Sequence, residues 1–216
     1  VKDECVRFVL NAFKVLGGSY AIAKYIADEM NVDVSELPYS VLTSDEFAKK
    51  FKPATFFSAT DGNHGRGVAW AANKLHQKSV IIMPKGSTET RLNNIKAEGA
   101  DAWISDVNYD ECVREAAKLA AGVEHGVVVQ DTAWEGYEKI PAWIMQGYGT
   151  MALEADAQFA ERPTHVFVQA GVGSLAGAMV GYFANKYKEN PPVMVVVEAE
   201  AAACLLQGAQ GGGGDI

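Results

Sequence analysis

The chain of 216 residues has little that would staple it, metallate it or hold it to a polyanion. Its three cysteines, Cys5, Cys112 and Cys204, are odd in number, far apart and without metal-ligand spacing. That excludes a disulfide framework and reads as the reduced thiols of a cytoplasmic protein. The four histidines are scattered, none in an HxxxH pair, so no zinc or other metal site is expected. Lys and Arg total 19 against 27 Asp and Glu, a net charge of -8. With no basic stripe, nucleic acid is not an expected partner. No apolar run reaches the roughly 20 residues that cross a bilayer, and no signal-peptide pattern opens the chain, so no membrane partner is expected. The start at Val1, without a methionine and at once in an extended, mixed-polarity segment, and the closing run Gly211-Gly212-Gly213-Gly214 read as the edges of an internal portion of a longer polypeptide, truncated at both ends.

What is present is alternation. Hydrophobic residues make up 49% of the chain, enough to core one large domain or two small ones. Apolar, β-rich runs at 55–58, 79–83, 102–105, 127–130, 165–169 and 193–198 are predicted strands. Several are continuous, as in strands covered on both faces. Helical patterns fall at 18–30, 63–75, 88–98, 109–121, 141–159, 174–187 and roughly 201–207, with Pro141 suited to a first turn. The order predicts an α/β protein with parallel sheets. The helix at 141–159 divides the chain. Residues 55–149 form a small α/β domain, and residues 1–54 and 150–216 are parts of a larger one. A site between two such sheets lies at the carboxyl ends of strands.

Three segments carry chemistry. The first, Ser58-Ala59-Thr60-Asp61-Gly62-Asn63-His64-Gly65-Arg66-Gly67-Val68-Ala69, is a turn from strand to helix. Such a turn leaves backbone N–H groups unpaired, with an anionic group as natural guest. Asp61 adds a carboxylate able to move a proton, and Asn63 an amide able to hold a ring oxygen. The second, Gly171-Val172-Gly173-Ser174-Leu175-Ala176-Gly177, follows an apolar strand. Its glycines let backbone approach a phosphate, and the helix behind supplies donors. The GxGxxxG spacing departs from the dinucleotide fingerprint, and no acidic residue follows at the right distance, so a single phosphate monoester is the better guest. The third is Asn11-Ala12-Phe13-Lys14-Val15-Leu16-Gly17-Gly18, where Lys14 sits in apolar company before two glycines that open a helix. A desolvated lysine can form a Schiff base with an aldehyde. Alone, it reads better as a surface lysine beside a turn.

Together these segments resemble the fold type II (tryptophan synthase β-like) family of pyridoxal-phosphate enzymes. Within it, Phe13-Lys14-Val15-Leu16-Gly17-Gly18, Ala59-Thr60-Asp61-Gly62-Asn63-His64-Gly65-Arg66-Gly67, Gln130-Asp131-Thr132-Ala133-Trp134-Glu135-Gly136-Tyr137 and Gln169-Ala170-Gly171-Val172-Gly173-Ser174 are similar to the diaminopropionate ammonia-lyases. The resemblance implies two Rossmann-like domains, each a three-layer αβα sandwich, in a homodimer. It implies pyridoxal 5'-phosphate as cofactor, held covalently by Lys14 and flanked by Phe13. Asn63 would bond the ring hydroxyl. The backbone at Gly171, Val172, Gly173 and Leu175, with Ser174, would hold the phosphate. The implied reaction removes ammonia from 2,3-diaminopropionate and yields pyruvate; a threonine or serine dehydratase is the neighbouring reading, and a non-catalytic α/β fragment that binds a phosphate ligand is the reading from another class.

Asp61 departs from dehydratase relatives, which carry a small neutral residue there. It suggests that Lys14 takes the α-proton of the L-substrate and Asp61 that of the D-substrate. Asp131 is placed to reach the substrate amine, or is an N-cap or Asx-turn residue. Thr60 and His64 are candidates for the substrate carboxylate or for holding the turn. Ala12 replaces a serine common in relatives. Trp70, Trp103 and Trp143 are expected in the core or an interface, and His76, His125 and His165 in structural roles.

Overall fold

The computed structural model describes residues 1–212; residues 213–216, which end the glycine run, lie outside the described residues. The chain forms two compact units, Glu4–Gln130 and Asp131 onward with Val1–Asp3.

In the first unit a 3-10 turn at Arg7–Val9 leads to α1 (Lys14–Met30), then to the short helices α2 (Tyr39–Leu42) and α3 (Asp45–Lys50). There follow β1 (Thr55–Ala59), α4 (Asn63–Lys74), β2 (Lys78–Met83), α5 (Glu89–Ala97), β3 (Asp101–Ile104), α6 (Tyr109–Ala121) and β4 (Gly126–Val128). The strands pair in parallel in the order β3-β2-β1-β4, with Ala59 opposite Ile82 and Phe57 opposite Val128. Side chains alternate across the pleat. Phe57, Ala59 and Ile82 meet Cys112, Ala116 and Ala120 of α6 on one face. Ile81 meets α4 on the other, where Gly65 allows contact: a Cβ there would lie 2.7 Å from Ile81 Cγ2. The result is the expected αβα layering. Phe56, Ile81 and Ile82 are fully buried, each worth about 1.5–3 kcal/mol relative to exposure. Side-chain caps set the starts of α5 and α6, Thr88 accepting from Arg91 N and Asn108 from Glu111 N.

Three expectations shift. Helix α1 starts at Lys14, not at residue 18, so Gly17 and Gly18 lie inside it. Each interior glycine costs roughly 0.5–1 kcal/mol. Close packing on α4 offsets that cost, because a Cβ on Gly18 would come within 3.3 Å of Val68 Cγ2. The entry segment, expected extended, makes tight turns with Phe8, Val9 and Asn11 at positive φ. Helices α2 and α3 are too short to show a period in the sequence, although Ser44 caps α3 through Phe47 N.

The second unit contains α7 (Lys139–Gln158), β5 (His165–Gln169), α8 (Ser174–Lys186), β6 (Val193–Val197), a 3-10 turn at Glu200–Ala202 and α9 (Cys204–Gln210). β5 and β6 pair in parallel. Helices α7 and α8 are tied where Asp156 accepts from the Tyr182 and Tyr187 hydroxyls, with Lys186 Nζ at 3.5 Å. Unlike β1 and β2, these strands are largely exposed, Phe167 at 71%.

Candidate active site

In the first unit the chain runs outward from β1 to β2 and β3, then returns to place β4 on the far side of β1. The carboxyl ends of β1 and β4 therefore flank a topological switch point, where open α/β sheets bind ligands. The turn Thr60-Asp61-Gly62-Asn63-His64 leaves β1 at that point. Thr60 is buried; its N–H donates to Ile82 O at 3.0 Å, and its Oγ1 accepts from Gly62 N at 2.9 Å and Gly65 N at 3.1 Å. The hydroxyl thus fixes the turn, while Asp61 and Asn63 stand exposed above it. His64 is buried, with Nε2 2.9 Å from Val129 O. A carbonyl only accepts, so Nε2 carries the proton and straps α4 to the end of β4. Gln130, fully buried, closes the crevice floor. Its Oε1 accepts from Ser58 Oγ at 3.2 Å and Ala59 N at 3.0 Å, and its Nε2 donates to Tyr109 OH. Sequence reasoning missed Gln130; the available signal was an amide directly after an apolar strand and before Asp131.

Lys14 is the first residue of α1, half-buried, with Nζ 5.9 Å from the centroid of the Phe13 ring. Its backbone is held against the first turns of α4. A Cβ on Gly67 would lie 2.8 Å from Val15 N and Cα and 3.2 Å from Lys14 C, so only glycine admits this approach. One depression is lined by Leu10, Ala12, Val15, Asn63, Arg66 and Gly67. The residues on either side of Lys14 therefore share a surface with Asn63. Arg66 fastens the entry segment, its Nη1 donating to Leu10 O while Nε and Nη2 both reach Glu98 Oε1.

The second unit holds the glycine loop. A Cβ on Gly171 would meet nothing within 4 Å, so the loop leaves open space there. Gly173 has φ +97 and precedes α8, whose N-terminus no side chain caps. Uncapped amides at a helix start form an anion cradle when glycines precede them. Ser174 is buried as the first helical residue, Leu175 is half-buried and Val172 exposed. Leu205 of α9 packs on Gly173, and the Cys204 thiol donates to Gly171 O at 2.8 Å. Glu198 accepts from Leu205 N and Leu206 N, which holds its carboxyl below the usual range. Asp131 is buried in this unit beside Tyr148, whose hydroxyl is pushed well up by burial and further by that carboxylate. The Thr132 hydroxyl next to it is buried without a hydrogen-bond partner among the described residues.

In the first unit a primary amine and an exposed amide beside a switch point are groups that suit an aldehyde and a ring hydroxyl; in the second, taken by itself, an open glycine loop at a helix start is a group that suits a phosphate. The sequence profile of the pyridoxal-phosphate dependent enzymes matches residues 1–214. The chain belongs to that family. A diaminopropionate ammonia-lyase of Salmonella typhimurium is 53% identical over 213 residues, covering 97% of this chain and 52% of that protein. The crystal structure of the holo diaminopropionate ammonia lyase from Escherichia coli superposes with a TM-score of 0.89 at 45% identity, over 98% of this chain and 53% of that one. The complex of that enzyme with D-serine also gives 0.89 at 45% identity, over 98% of this chain and 54% of that one. This member of the family spans about half the length of these relatives. Among the described residues, no helix is long and apolar enough to cross a membrane, and no group of three His, Cys, Asp or Glu is disposed to hold a metal ion.

Proposed function

We propose that the whole protein is a pyridoxal-phosphate-dependent ammonia-lyase that converts 2,3-diaminopropionate and water to pyruvate and two ammonia molecules. The observation that carries this is Asp61: an exposed carboxylate at the β1 carboxyl end, in the unit that also holds Lys14. The identity to diaminopropionate ammonia-lyases supports the substrate.

Bound at this site, the cofactor supplies an electron sink for charge developing at the substrate α-carbon. Lys14 Nζ would hold it through its aldehyde, with Phe13 as a neighbour. Asn63 would hydrogen-bond the ring hydroxyl. The backbone amides of Gly171, Val172, Gly173 and Leu175, with the Ser174 hydroxyl, would hold the phosphate. Lys14 and Asp61 divide the proton transfer, the amine serving the L-substrate and the carboxylate the D-substrate. Asp131 takes the substrate amine, a charge-assisted contact suited to a buried carboxylate. Thr60 and His64 border the substrate carboxylate as members of the turn they fix.

In the whole protein, residues 1–54 and 150–216 belong to a large cofactor-binding domain and 55–149 to a small one. The two separate sheets support two domains, β1–β4 in one and β5–β6 in the other, and Lys14 lies in the compact unit that holds β1–β4. The scattered cysteines support a cytoplasmic enzyme, and a homodimer is the assembly we assign to it. Pyruvate release by the whole protein from diaminopropionate and from serine tests the reading. Faster release from diaminopropionate is expected. Equal or faster pyruvate release from serine, or equal or faster 2-oxobutyrate release from threonine, makes it a dehydratase, and no keto acid from any of the three, with cofactor bound, removes the enzyme reading.

A further inference from the structure

We propose that Arg91 is a positioning residue for Asp61, an inference that rests on the proton-transfer role assigned to Asp61 above. The argument concerns one peptide group. The Asp61 carbonyl and the Gly62 N–H belong to the same plane. The N–H end is held by Thr60 Oγ1 at 2.9 Å, and the carbonyl end by Arg91 Nη1 at 3.0 Å. A glycine on the far side of a peptide normally leaves it free to flip, since Gly62 adds no steric barrier to rotation. A flip would break both bonds and loosen the turn that carries the Asp61 side chain. Arg91 opposes it by the charge-assisted bond and by bulk, because its Cδ and Nε lie 3.4 and 3.7 Å from where a Gly62 Cβ would sit.

The two anchors come from different places. Thr60 is tied through its own N–H to Ile82 O of β2. Arg91 stands on α5, whose buried residues are Leu92 and Ile95 and whose start is capped by Thr88. The Arg91 side chain is exposed, so its replacement leaves the α5 packing intact. The clamp is therefore separable from the fold.

The test uses the whole protein as wild type, R91A, R91K, D61N and K96A, the last removing an equal charge from the same helix. Hydrogen exchange at residues 60–66 in the cofactor-free protein is read beside kcat and KM for D- and L-diaminopropionate. R91A is expected to speed exchange at Gly62 and lower kcat on the D-substrate about tenfold, the loss of one bond to a charged group. L-turnover and the melting temperature stay near wild type. R91K recovers only part, since an ammonium cannot reproduce the planar fork, and K96A behaves as wild type. Wild-type exchange at Gly62 in R91A overturns the proposal, as does an equal loss on both enantiomers. If D61N leaves the D-to-L ratio unchanged, the role of Asp61 falls. The exchange result then decides the clamp alone: faster exchange upholds it and unchanged protection ends it.

Discussion

Replacing Gly67 by alanine tests whether the meeting of α1 and α4 sets the place of Lys14. The new Cβ would lie 2.8 Å from Val15 N and Cα and 3.2 Å from Lys14 C, all backbone atoms that no rotamer change can move. Carbon contacts relax to about 3.5–4.0 Å, so α1 must withdraw from α4 by roughly 1 Å. Overpacking of this kind costs about 1–3 kcal/mol. Removing a mid-helix glycine returns roughly 0.5–1 kcal/mol. The net loss is about 0–2.5 kcal/mol, and a mid-range loss of about 1 kcal/mol lowers Tm by about 2–4 °C. The effect on turnover should be larger, because the first residue displaced is Lys14, and a misplacement of about 1 Å at a reacting group can cost roughly a hundredfold. Gly18→Ala is the matched control. Its Cβ would meet Val68 Cγ2 at 3.3 Å, a side-chain atom that can shift. Calorimetry of the cofactor-free protein, cofactor titration and turnover are measured on both variants. A G67A protein with wild-type Tm and wild-type cofactor affinity would refute the claim that this contact fixes the lysine.

Lys14→Ala should abolish the visible absorbance of covalently held cofactor while leaving the fold intact, since the residue is half-buried at a helix start; spectra taken with added pyridoxal phosphate check this. Gly173→Ala forces a side chain into φ +97 and brings its Cβ 3.1 Å from Leu205 Cδ2. A left-handed non-glycine residue costs roughly 1–2 kcal/mol, so cofactor binding should weaken about five- to thirtyfold in an equilibrium titration. The Asp156 carboxyl is held below its ordinary range by the Tyr187 hydroxyl, with Lys186 adding to the effect and burial opposing it. A depressed acid favours the folded state while ionised. Its contribution is therefore complete above the ordinary aspartate range and fades as pH falls through the lowered value. Tyr187→Phe removes that partner, so the melting difference between wild type and Y187F should shrink from about pH 7 to about pH 3.

Much of this was legible because the signals are local. Each continuous apolar run between glycine or proline punctuation became a strand, and α6 has the bounds its pattern gave, with Asn108 as its cap. The start of α1 was misplaced because Gly17-Gly18 reads locally as a helix opening. The packing on Val68 that lets them sit inside the helix involves residues some fifty positions later. Strand β4 ends at Val128 rather than at Gln130 for a similar reason. Val129 N still bonds Phe57 O, but at Gln130 the side chain bonds the neighbouring strand, through Ala59 N.

The same distinction separates the proposed site residues that could be named from the sequence from those that could not. Lys14, Asp61, Asn63 and the glycine loop carry their chemistry in their own side chains or in an adjacent turn, and a short window of sequence contains all of it. Gln130 and Arg91 act on the backbone atoms of other segments, Gln130 on Ala59 N and Arg91 on Asp61 O. Their use depends on strand order and register. Because Ala59 pairs with Ile82, Thr60 reaches Ile82 O, and the helix that follows β2 is carried over the turn. A one-residue slip of that pairing would reverse which faces of β1 and β2 meet their helices. It would also part Thr60 from its carbonyl and Arg91 from Asp61. The register that buries the core is therefore the register that fixes the turn carrying Asp61.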